Sequence, residues 1–326
     1  IVGYSGNNVR LFTANHLPYN FGAFHMSEDI YYADATELAD RIRTKALSPV
    51  AVMRAILDRI DLVNPRLNAI VTPADGAMER AREAEEALAR GESWGPLHGV
   101  PFTIKDCLDT RGIRTTRGSL LFEDHVPAAD ATVVTRMKQA GGILLGKTNM
   151  PEFALWWETD NRLFGRTENP WKEGRTPGGS SGGEAAAIAS GMSPLGVGSD
   201  VGGSIRQPAH FCGLAGLKAT HGRIPLTGHW PDTLLRFMHV GPLARTVRDI
   251  SLALSVLAGP DGKDPYAVRV PLEAPGDLAG PLPRLRVGWC AEGPFSPVAA
   301  DVQATVARAA AAFERVSDAA GMRPPI

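Results

Sequence analysis

The sequence predicts an α/β fold with a central twisted mixed β-sheet covered by α-helices on both faces. One observation is that helical segments alternate with short apolar segments of strand length after Met26. Another is that 44% of the 326 residues are hydrophobic and 21% are charged, which is enough apolar material for a large core. We therefore expect a single domain over residues 26–326, preceded by an N-terminal extension at residues 1–25.

Two helices are predicted near the start of this domain from their capping residues. Asp34 can cap a helix over ATELADRIRTKAL, because its carboxylate can accept from the free N–H groups of the first turn. Ser48 followed by Pro49 is typical of a cap and a first helical residue, and this second helix is expected to run to about Val63.

The following segments alternate between strand and helix patterns. Short apolar segments predict strands, and periodic segments predict helices. The predicted strands are LNAIVT, VPFTIKD and GILLGKT, and the predicted helices are ADGAMERAREAEEALAR and ATVVTRMKQAG. This alternation predicts strands and helices packed in layers.

Residues 175–218 are rich in glycine, serine and alanine. A linker would stay polar and without pattern, whereas EAAAIASG indicates a small-residue helix and MSPLGVGSD an apolar strand. Small residues also let backbone segments approach one another closely. We therefore expect this region to be part of the core.

Composition and charge limit the function. The formal net charge of -1 and the isoelectric point near 6.8 give no basic surface for nucleic acid, so we expect a small-molecule partner. Neither a signal peptide nor an apolar run of roughly 20 residues is present, so a cytoplasmic protein without a membrane span is expected. The three cysteines form no C-x-x-C pair, which favours a reducing compartment and a role as small core residues; they are Cys107, Cys212 and Cys290.

The segment TPGGSSGGEAAA, residues 176–187, resembles several functional loops. A phosphate-binding loop needs a lysine after the glycines, and none follows here. GGSSG matches the nucleophile elbow of α/β-hydrolases, but the last histidine is His239, and no Ser, Asp, His order has sensible spacing. Neither an S-x-x-K motif nor a metal-binding spacing is present, so no metal and no cofactor are expected.

The second serine loop is SDVGGSIR, residues 199–206. The amides of residues 201–204 can turn toward one point and stabilise an oxyanion. These residues are Val201, Gly202, Gly203 and Ser204. The base could be Lys105 in the apolar VPFTIKDC, since burial lowers a lysine pKa, although a lysine reaching out from a strand edge remains an alternative.

Three segments together resemble the amidase signature family of serine hydrolases. They are GVPFTIKDCLD, GGSSGGEAAAIASG and GSDVGGSIRQPAHFCGLAGLK, and the resemblance covers about residues 36–258. Family members continue beyond the end of this chain. The resemblance therefore predicts that the C-terminal part of the domain, which completes the sheet and the pocket, is missing.

The resemblance also implies roles for individual residues. Ser204 corresponds to the nucleophile, Ser180 to the bridging serine and Lys105 to the base. The bridging serine of the family follows a cis peptide, which here is the Gly179–Ser180 bond. Ser181, Asp200 and Arg206 match positions that brace the loops.

The resemblance implies amide hydrolysis through an acyl-enzyme, with esters and carbamates as further substrates of the same chemistry. The segment LFGRTENPWKEGRTPGGSSGGE is similar to the branch that includes fatty acid amide hydrolases. Just before it, Leu155, Trp156 and Trp157 could line an acyl or aryl pocket, or could equally be core residues.

Two other functions remain open at this point. One is the amidase subunit of a tRNA-dependent amidotransferase, although the segment TGHWPDTLLRFMHVGPLART does not resemble that protein. The other is a non-catalytic scaffold that keeps the fold. The leading hypothesis is a stand-alone amidase acting on a small-molecule amide, and a homo-oligomer is compatible with the sequence.

Overall fold

The computed structural model describes residues 2–4, 9–11, 30–232, 234, 236–271, 288–292 and 297–319. The chain divides into two compact units, Ile1–Leu272 and Glu273–Ile326. The single domain over residues 26–326 stays a prediction. Within the expected extension at residues 1–25, only strands β1 (Val2–Tyr4) and β2 (Val9–Leu11) are described, and they pair antiparallel. The rest of the extension lies outside the described residues.

In the unit Ile1–Leu272, the first two helices begin where the sequence predicts caps. The helices are α1 (Ala35–Arg43), α2 (Pro49–Leu67), α3 (Ala77–Ala89), α4 (Thr132–Gln139), α5 (Gly182–Ala189), α6 (Arg206–Cys212) and α7 (Val247–Leu257). Asp34 accepts from the Glu37 N–H at 2.8 Å, and Ser48 Oγ accepts from the Ala51 N–H at 3.1 Å. Both predicted caps are thus confirmed.

A six-stranded mixed sheet forms the centre of the unit Ile1–Leu272. Its strands are β3 (Ile70–Pro73), β4 (Pro101–Lys105), β5 (Ile143–Thr148), β6 (Leu195–Asp200), β7 (Ala215–Gly216) and β8 (His239–Ala244). The order across the sheet is β3-β5-β4-β6-β8-β7. Strand β4 runs parallel to both β5 and β6, whereas β3, β7 and β8 pair antiparallel with their neighbours. The predicted mixed sheet is confirmed.

Strand β4 shows how the two faces of the sheet differ. Side chains alternate between the faces of a strand. Phe102 and Ile104 enter the large apolar core, which also holds side chains of α1, α2, α3, α4 and α7. Thr103 and Lys105 therefore point to the opposite face, where Thr103 Oγ1 donates to Glu184 of α5 at 2.6 Å. Helices thus cover both faces, as predicted.

Helix α5 lies very close to the sheet. All eight of its residues are buried. A Cβ added at Gly183 would lie 2.4 Å from Asn149 N, and one added at Gly196 of β6 would lie 1.9 Å from Glu184 Oε2. The glycines at these positions therefore permit the close approach that the small-residue texture predicts.

The second unit is described over two segments, and its helix is α8 (Ala300–Ala319). Cys290 in this unit is exposed, so the expectation that all three cysteines are core residues is wrong for Cys290 and right for Cys107 and Cys212. Among the described residues, no helix is long and apolar enough to cross a membrane.

Candidate active site

Three segments meet beside the carboxyl ends of two parallel strands. Lys105 ends β4 and Asp200 ends β6, and these neighbouring strands run parallel. The loop after β6 leads into α6, and the loop with Gly179 and Ser180 leads into α5. Crevices at the carboxyl ends of parallel strands are common ligand sites in α/β proteins.

Lys105 is fully buried and points into this cluster. Its Nζ donates to Ser180 Oγ at 2.7 Å and to Ser199 Oγ at 3.1 Å. Burial lowers the pKa of the Lys105 amine, while Cys107, Asp200 and Glu184 oppose that effect whenever they are ionised. The snorkelling alternative is therefore wrong, because the amine is enclosed by protein.

Ser180 follows a cis peptide bond with Gly179, as the resemblance implies. A Cβ added at Gly179 would lie 2.8 Å from both Glu158 N and Trp157 C, so a larger residue does not fit. The Gly179 N–H donates to Gln207 Oε1 at 3.2 Å. The segment at residues 157–158 therefore packs directly on the Ser180 loop.

Ser204 and Ser181 join the two serine loops. The Ser181 N–H donates to the Ser204 carbonyl oxygen at 3.1 Å, and Ser181 Oγ donates to the Ser199 carbonyl oxygen at 3.2 Å. Ser204 is almost fully buried. Within the described residues, no hydrogen bond joins the Ser204 and Ser180 hydroxyls, although their loops touch. The structure thus connects Lys105 to Ser180 but leaves the hydroxyl contact from Ser180 to Ser204 open.

Asp200 organises the loop that carries Ser204. Its carboxylate accepts from the N–H groups of Gly203 and Ile205 at 2.8 and 3.0 Å, and from Arg206 Nε and Nη2 at 3.0 and 2.9 Å. Burial alone would raise the pKa of this carboxyl, but the hydrogen bonds from Arg206 and the backbone outweigh it and hold the pKa at about 2. Asp200 is therefore ionised at neutral pH and fixes the loop.

The amides expected to form an oxyanion hole divide into two groups. The Gly203 N–H is engaged with Asp200 Oδ1. In the described part of the chain, the N–H groups of Val201, Gly202 and Ser204 donate to no protein acceptor. These three donors are thus free to bind a ligand atom, whereas the Gly203 donor is already used inside the loop.

The three residues suggested for a substrate pocket are exposed. Leu155, Trp156 and Trp157 expose 62, 65 and 56% of their surface, so the core-packing alternative is wrong. Trp157 Nε1 donates to the Gly202 carbonyl oxygen at 3.1 Å, which places its indole on the Ser204 loop. Leu155 and Trp156 make no such contact with the loop in the described residues.

The buried carboxyl of Glu184 was not identified from the sequence. Thr103 Oγ1 and Thr148 Oγ1 donate to it at 2.6 and 2.9 Å. Burial raises the pKa of Glu184 to about 8, because these hydrogen bonds and the nearby Lys147 and Lys105 only partly offset desolvation. An acidic residue among the alanines of GGEAAAIA was the one available signal.

Cys107 and His229 extend the polar cluster behind Lys105. Cys107 Sγ lies 3.5 Å from Ser199 Oγ and 3.5 Å from His229 Nε2. Burial alone would raise the pKa of the Cys107 thiol, but His229 and Lys105 outweigh it and lower that pKa to about 7. No group of three or more His, Cys, Asp or Glu side chains in the described ranges could hold a metal ion.

Comparison with curated proteins finds close relatives of two kinds. The chain is 48% identical over 241 residues to the A subunit of a glutamyl-tRNA(Gln) amidotransferase from Carboxydothermus hydrogenoformans, with 72% of this chain and 49% of that protein covered. It is 41% identical over 291 residues to an acylamidase of Rhodococcus erythropolis, with 89% of this chain and 61% of that protein covered. The chain thus spans about half to three-fifths of the length of these relatives.

Several solved structures are also similar to this chain. A bacterial aryl acylamidase of the amidase signature family matches with a TM-score of 0.70 and 36% identity, over 74% of this chain and 51% of that one. A 6-aminohexanoate cyclic dimer hydrolase matches with a TM-score of 0.78 and 34% identity, over 88% of this chain and 59% of that one. Fatty acid amide hydrolase matches with a TM-score of 0.68 and 30% identity, over 71% of this chain and 42% of that one.

The family model described as Amidase matches residues 51–319, which is most of the chain. This match, the relatives and the fold agree with the resemblance that the serine loops carry. The chain belongs to the amidase signature family.

Proposed function

We propose that this protein hydrolyses carboxylic amide bonds through an acyl-enzyme on Ser204. The observation that carries the proposal is the buried contact of 2.7 Å between Lys105 Nζ and Ser180 Oγ, beside the loop that holds Ser204. A buried amine with a lowered pKa can be neutral at moderate pH and can accept a proton. A hydroxyl next to such a base is positioned to relay that proton.

In the proposed acylation, Ser204 Oγ attacks the amide carbonyl carbon. Its proton moves to Ser180 Oγ, while the Ser180 proton moves to the neutral amine of Lys105 and makes it an ammonium group. The C–N bond then breaks as Ser180 gives a proton to the leaving nitrogen and recovers one from Lys105. The step leaves an ester on Ser204, a free amine or ammonia, and a neutral lysine.

The tetrahedral intermediate of this step carries a negative oxygen. The free N–H groups of Val201, Gly202 and Ser204 are the donors that can stabilise it, and the Gly203 N–H can contribute only as a donor shared with Asp200. Water then attacks the ester and gives its proton to Lys105 through Ser180, and the same path returns a proton to Ser204 Oγ as the ester C–O bond breaks. The products are a carboxylic acid and the free enzyme.

The proposed substrate is an amide with an aryl or aliphatic group near the scissile bond. The exposed Trp157 indole lies on the Ser204 loop, and such a surface favours apolar groups. The similarity to an acylamidase and to an aryl acylamidase supports this class. Because the same acyl-enzyme can form from esters and carbamates, these are included as further substrates.

A second candidate function is the amidase component of a tRNA-dependent amidotransferase. It is favoured by the 48% identity to one chain of such an enzyme. In that case the substrate is glutamine, and partner proteins take part in passing the ammonia to an acyl-tRNA. The two functions share the chemistry at Ser204 and differ in the amide and in the need for partners.

The experiment measures hydrolysis of an aryl acetamide, a medium-chain acyl amide, a carbamate, the matching ester and glutamine by purified protein and by Ser204→Ala. Turnover of the first four that the variant lacks supports the amidase. Turnover of glutamine, with silence on the others, supports the amidotransferase component. A folded protein that neither turns over any substrate nor reacts at Ser204 with a fluorophosphonate would instead support a non-catalytic scaffold.

A further inference from the structure

The peptide unit between Gly202 and Gly203 is held from two sides. Trp157 Nε1 donates to the Gly202 carbonyl oxygen at 3.1 Å, and the Gly203 N–H donates to Asp200 Oδ1 at 2.8 Å. The cis bonds of the described chain lie elsewhere, so this peptide is trans. The C=O and N–H groups of a trans peptide point in opposite directions. The two hydrogen bonds therefore fix the peptide plane at opposite edges.

Both glycines that flank this peptide have open space where a side chain would begin. A Cβ added at Gly202 would come no closer than 3.8 Å to another atom, Trp157 Nε1, and one added at Gly203 no closer than 4.0 Å, to Gln207 Cβ. Gly203 has a φ of +112°, and the glycines on both sides of the peptide leave its torsions with few restrictions. The orientation of this peptide therefore depends on hydrogen bonds, which are its own two and the one that the adjoining Gly203 carbonyl oxygen accepts from the Gln207 N–H at 2.7 Å.

We propose that Trp157 is a positioning residue that holds the Gly202–Gly203 peptide and thereby the oxyanion-binding amides on either side of it. The inference rests on the proposed function. The free N–H groups of Gly202 and Ser204 lie in the peptides on either side of this one, so its rotation shifts them. The Ser204 side is also held by the Gln207 N–H, which donates to the Gly203 carbonyl oxygen at 2.7 Å, so the Trp157 contact acts mainly on the Gly202 N–H. Donors held in place before the reaction stabilise an oxyanion without reorganisation.

The two side chains that hold this peptide, Asp200 and Trp157, differ in what else is lost when they are replaced. Asp200 is buried and also binds Arg206, so removing its carboxylate disturbs the whole loop. Trp157 is 56% exposed, and its indole N–H makes the hydrogen bond to the loop. Trp157→Phe removes that donor, keeps an aromatic face and leaves no buried cavity. It therefore isolates the hydrogen bond.

The experiment compares Trp157→Phe with Trp289→Phe, which changes a tryptophan of nearly equal exposure, 55%, in the other compact unit. Losing one hydrogen bond that acts in the transition state is expected to lower kcat roughly two- to tenfold in Trp157→Phe. We expect KM and the thermal midpoint to stay close to those of the wild type. Trp289→Phe is expected to keep the wild-type kcat.

An unchanged kcat in Trp157→Phe, or a loss that falls entirely on KM, would overturn the proposal, since it would make the indole a substrate contact only. Indole N–H exchange, followed by NMR, gives a readout that needs no turnover. The Trp157 indole N–H should exchange more slowly than that of Trp289, and equal rates would contradict the hydrogen bond. If the wild type hydrolyses no amide, the proposed function fails while the exchange experiment still tests the contact.

Discussion

Lys105 Nζ lies 2.7 Å from Ser180 Oγ, although the two residues are 75 positions apart in the chain. Lys105 sits at the end of a central strand, and Ser180 precedes a helix that is buried against the sheet. Both side chains are fully buried. An amine in this environment loses more hydration as an ammonium than as a neutral group, so burial lowers its pKa and makes it a usable base.

Replacing Lys105 with alanine is expected to lower kcat/KM for an amide by roughly 10² to 10⁴, the usual contribution of a general base. In the wild type, kcat/KM should rise with pH through the pKa of Lys105, because only the neutral amine accepts a proton. Since burial lowers this pKa, the rise should lie below the ordinary lysine value of 10.5. A pH series of kcat/KM measures the rise.

Lys147 provides the matched control. It is also fully buried, and desolvation lowers its pKa to about 8, but its Nζ donates to the Leu108 carbonyl oxygen and to Thr110 Oγ1. In Lys147→Met the rise of kcat/KM with pH should persist. Loss of the rise in Lys147→Met and its retention in Lys105→Ala would show that Lys147, rather than Lys105, is the base.

Ser180→Ala should mainly lower activity, whereas Ser181→Ala should mainly lower stability. Ser180 Oγ contacts Lys105, so its loss breaks the proposed proton path and should lower kcat severely. Ser181 Oγ bonds to the Ser199 backbone, so its loss is expected to cost about 1 kcal/mol of stability with a smaller effect on rate. Rates and thermal midpoints of the two variants distinguish these outcomes. Near-normal turnover by Ser180→Ala would mean that the proton passes directly or through water.

The local features of the fold could be predicted because they depend on neighbouring residues. The caps at Asp34 and Ser48 and the strand VPFTIKD are examples. Helix α2, however, continues to Leu67 rather than ending near Val63, because Asn68 in a left-handed conformation ends it instead. A sequence pattern does not define where a helix ends when the following residues continue to pack.

The site was predictable only as far as its motifs. The serine loops and Lys105 were identified from sequence, but the bonds that organise Glu184 join residues 81 and 36 positions apart. The Gly203 N–H donates to Asp200 because of the direction in which the backbone turns there, and the composition of the loop does not predict that direction. Such contacts depend on the assembled sheet rather than on local pattern.

Asp200→Asn should loosen the Ser204 loop and reduce both activity and stability. The carboxylate binds Arg206 and backbone N–H groups, and an amide cannot accept all of these hydrogen bonds. The folded pKa of about 2 lies below the ordinary value of 3.8, so the stability from this ionised group is present above pH 3.8 and is lost as pH falls toward 2. The wild type should therefore lose more stability than Asp200→Asn on acidification.

Thermal midpoints of both proteins between neutral pH and the lowest pH at which they remain folded measure this difference. The difference in thermal midpoint between wild type and Asp200→Asn should become smaller as the pH is lowered. A difference in thermal midpoint that does not change with pH would mean that Arg206 and the loop amides do not stabilise the ionised Asp200 carboxylate in the folded state.

Glu184→Gln tests the buried carboxyl behind the site through the pH dependence of stability. Burial raises the folded pKa of Glu184 to about 8, above the ordinary value of 4.5. The folded state therefore holds a proton that the unfolded state releases, and the stability from this proton is full below pH 4.5 and is lost as pH rises toward 8. Chemical denaturation at several pH values should show a stability decrease in the wild type that Glu184→Gln lacks.

Glu173→Gln, which changes an exposed side chain, is the control and should follow the wild-type decrease. Because glutamine cannot release a proton, any decrease that remains in Glu184→Gln must come from other groups. Parallel curves for wild type and Glu184→Gln would mean that Glu184 is already ionised at neutral pH and is stabilised there by Lys147 and Lys105. In that case the carboxylate would also raise the pKa of Lys105, and the rise of kcat/KM with pH should shift to lower pH in Glu184→Gln.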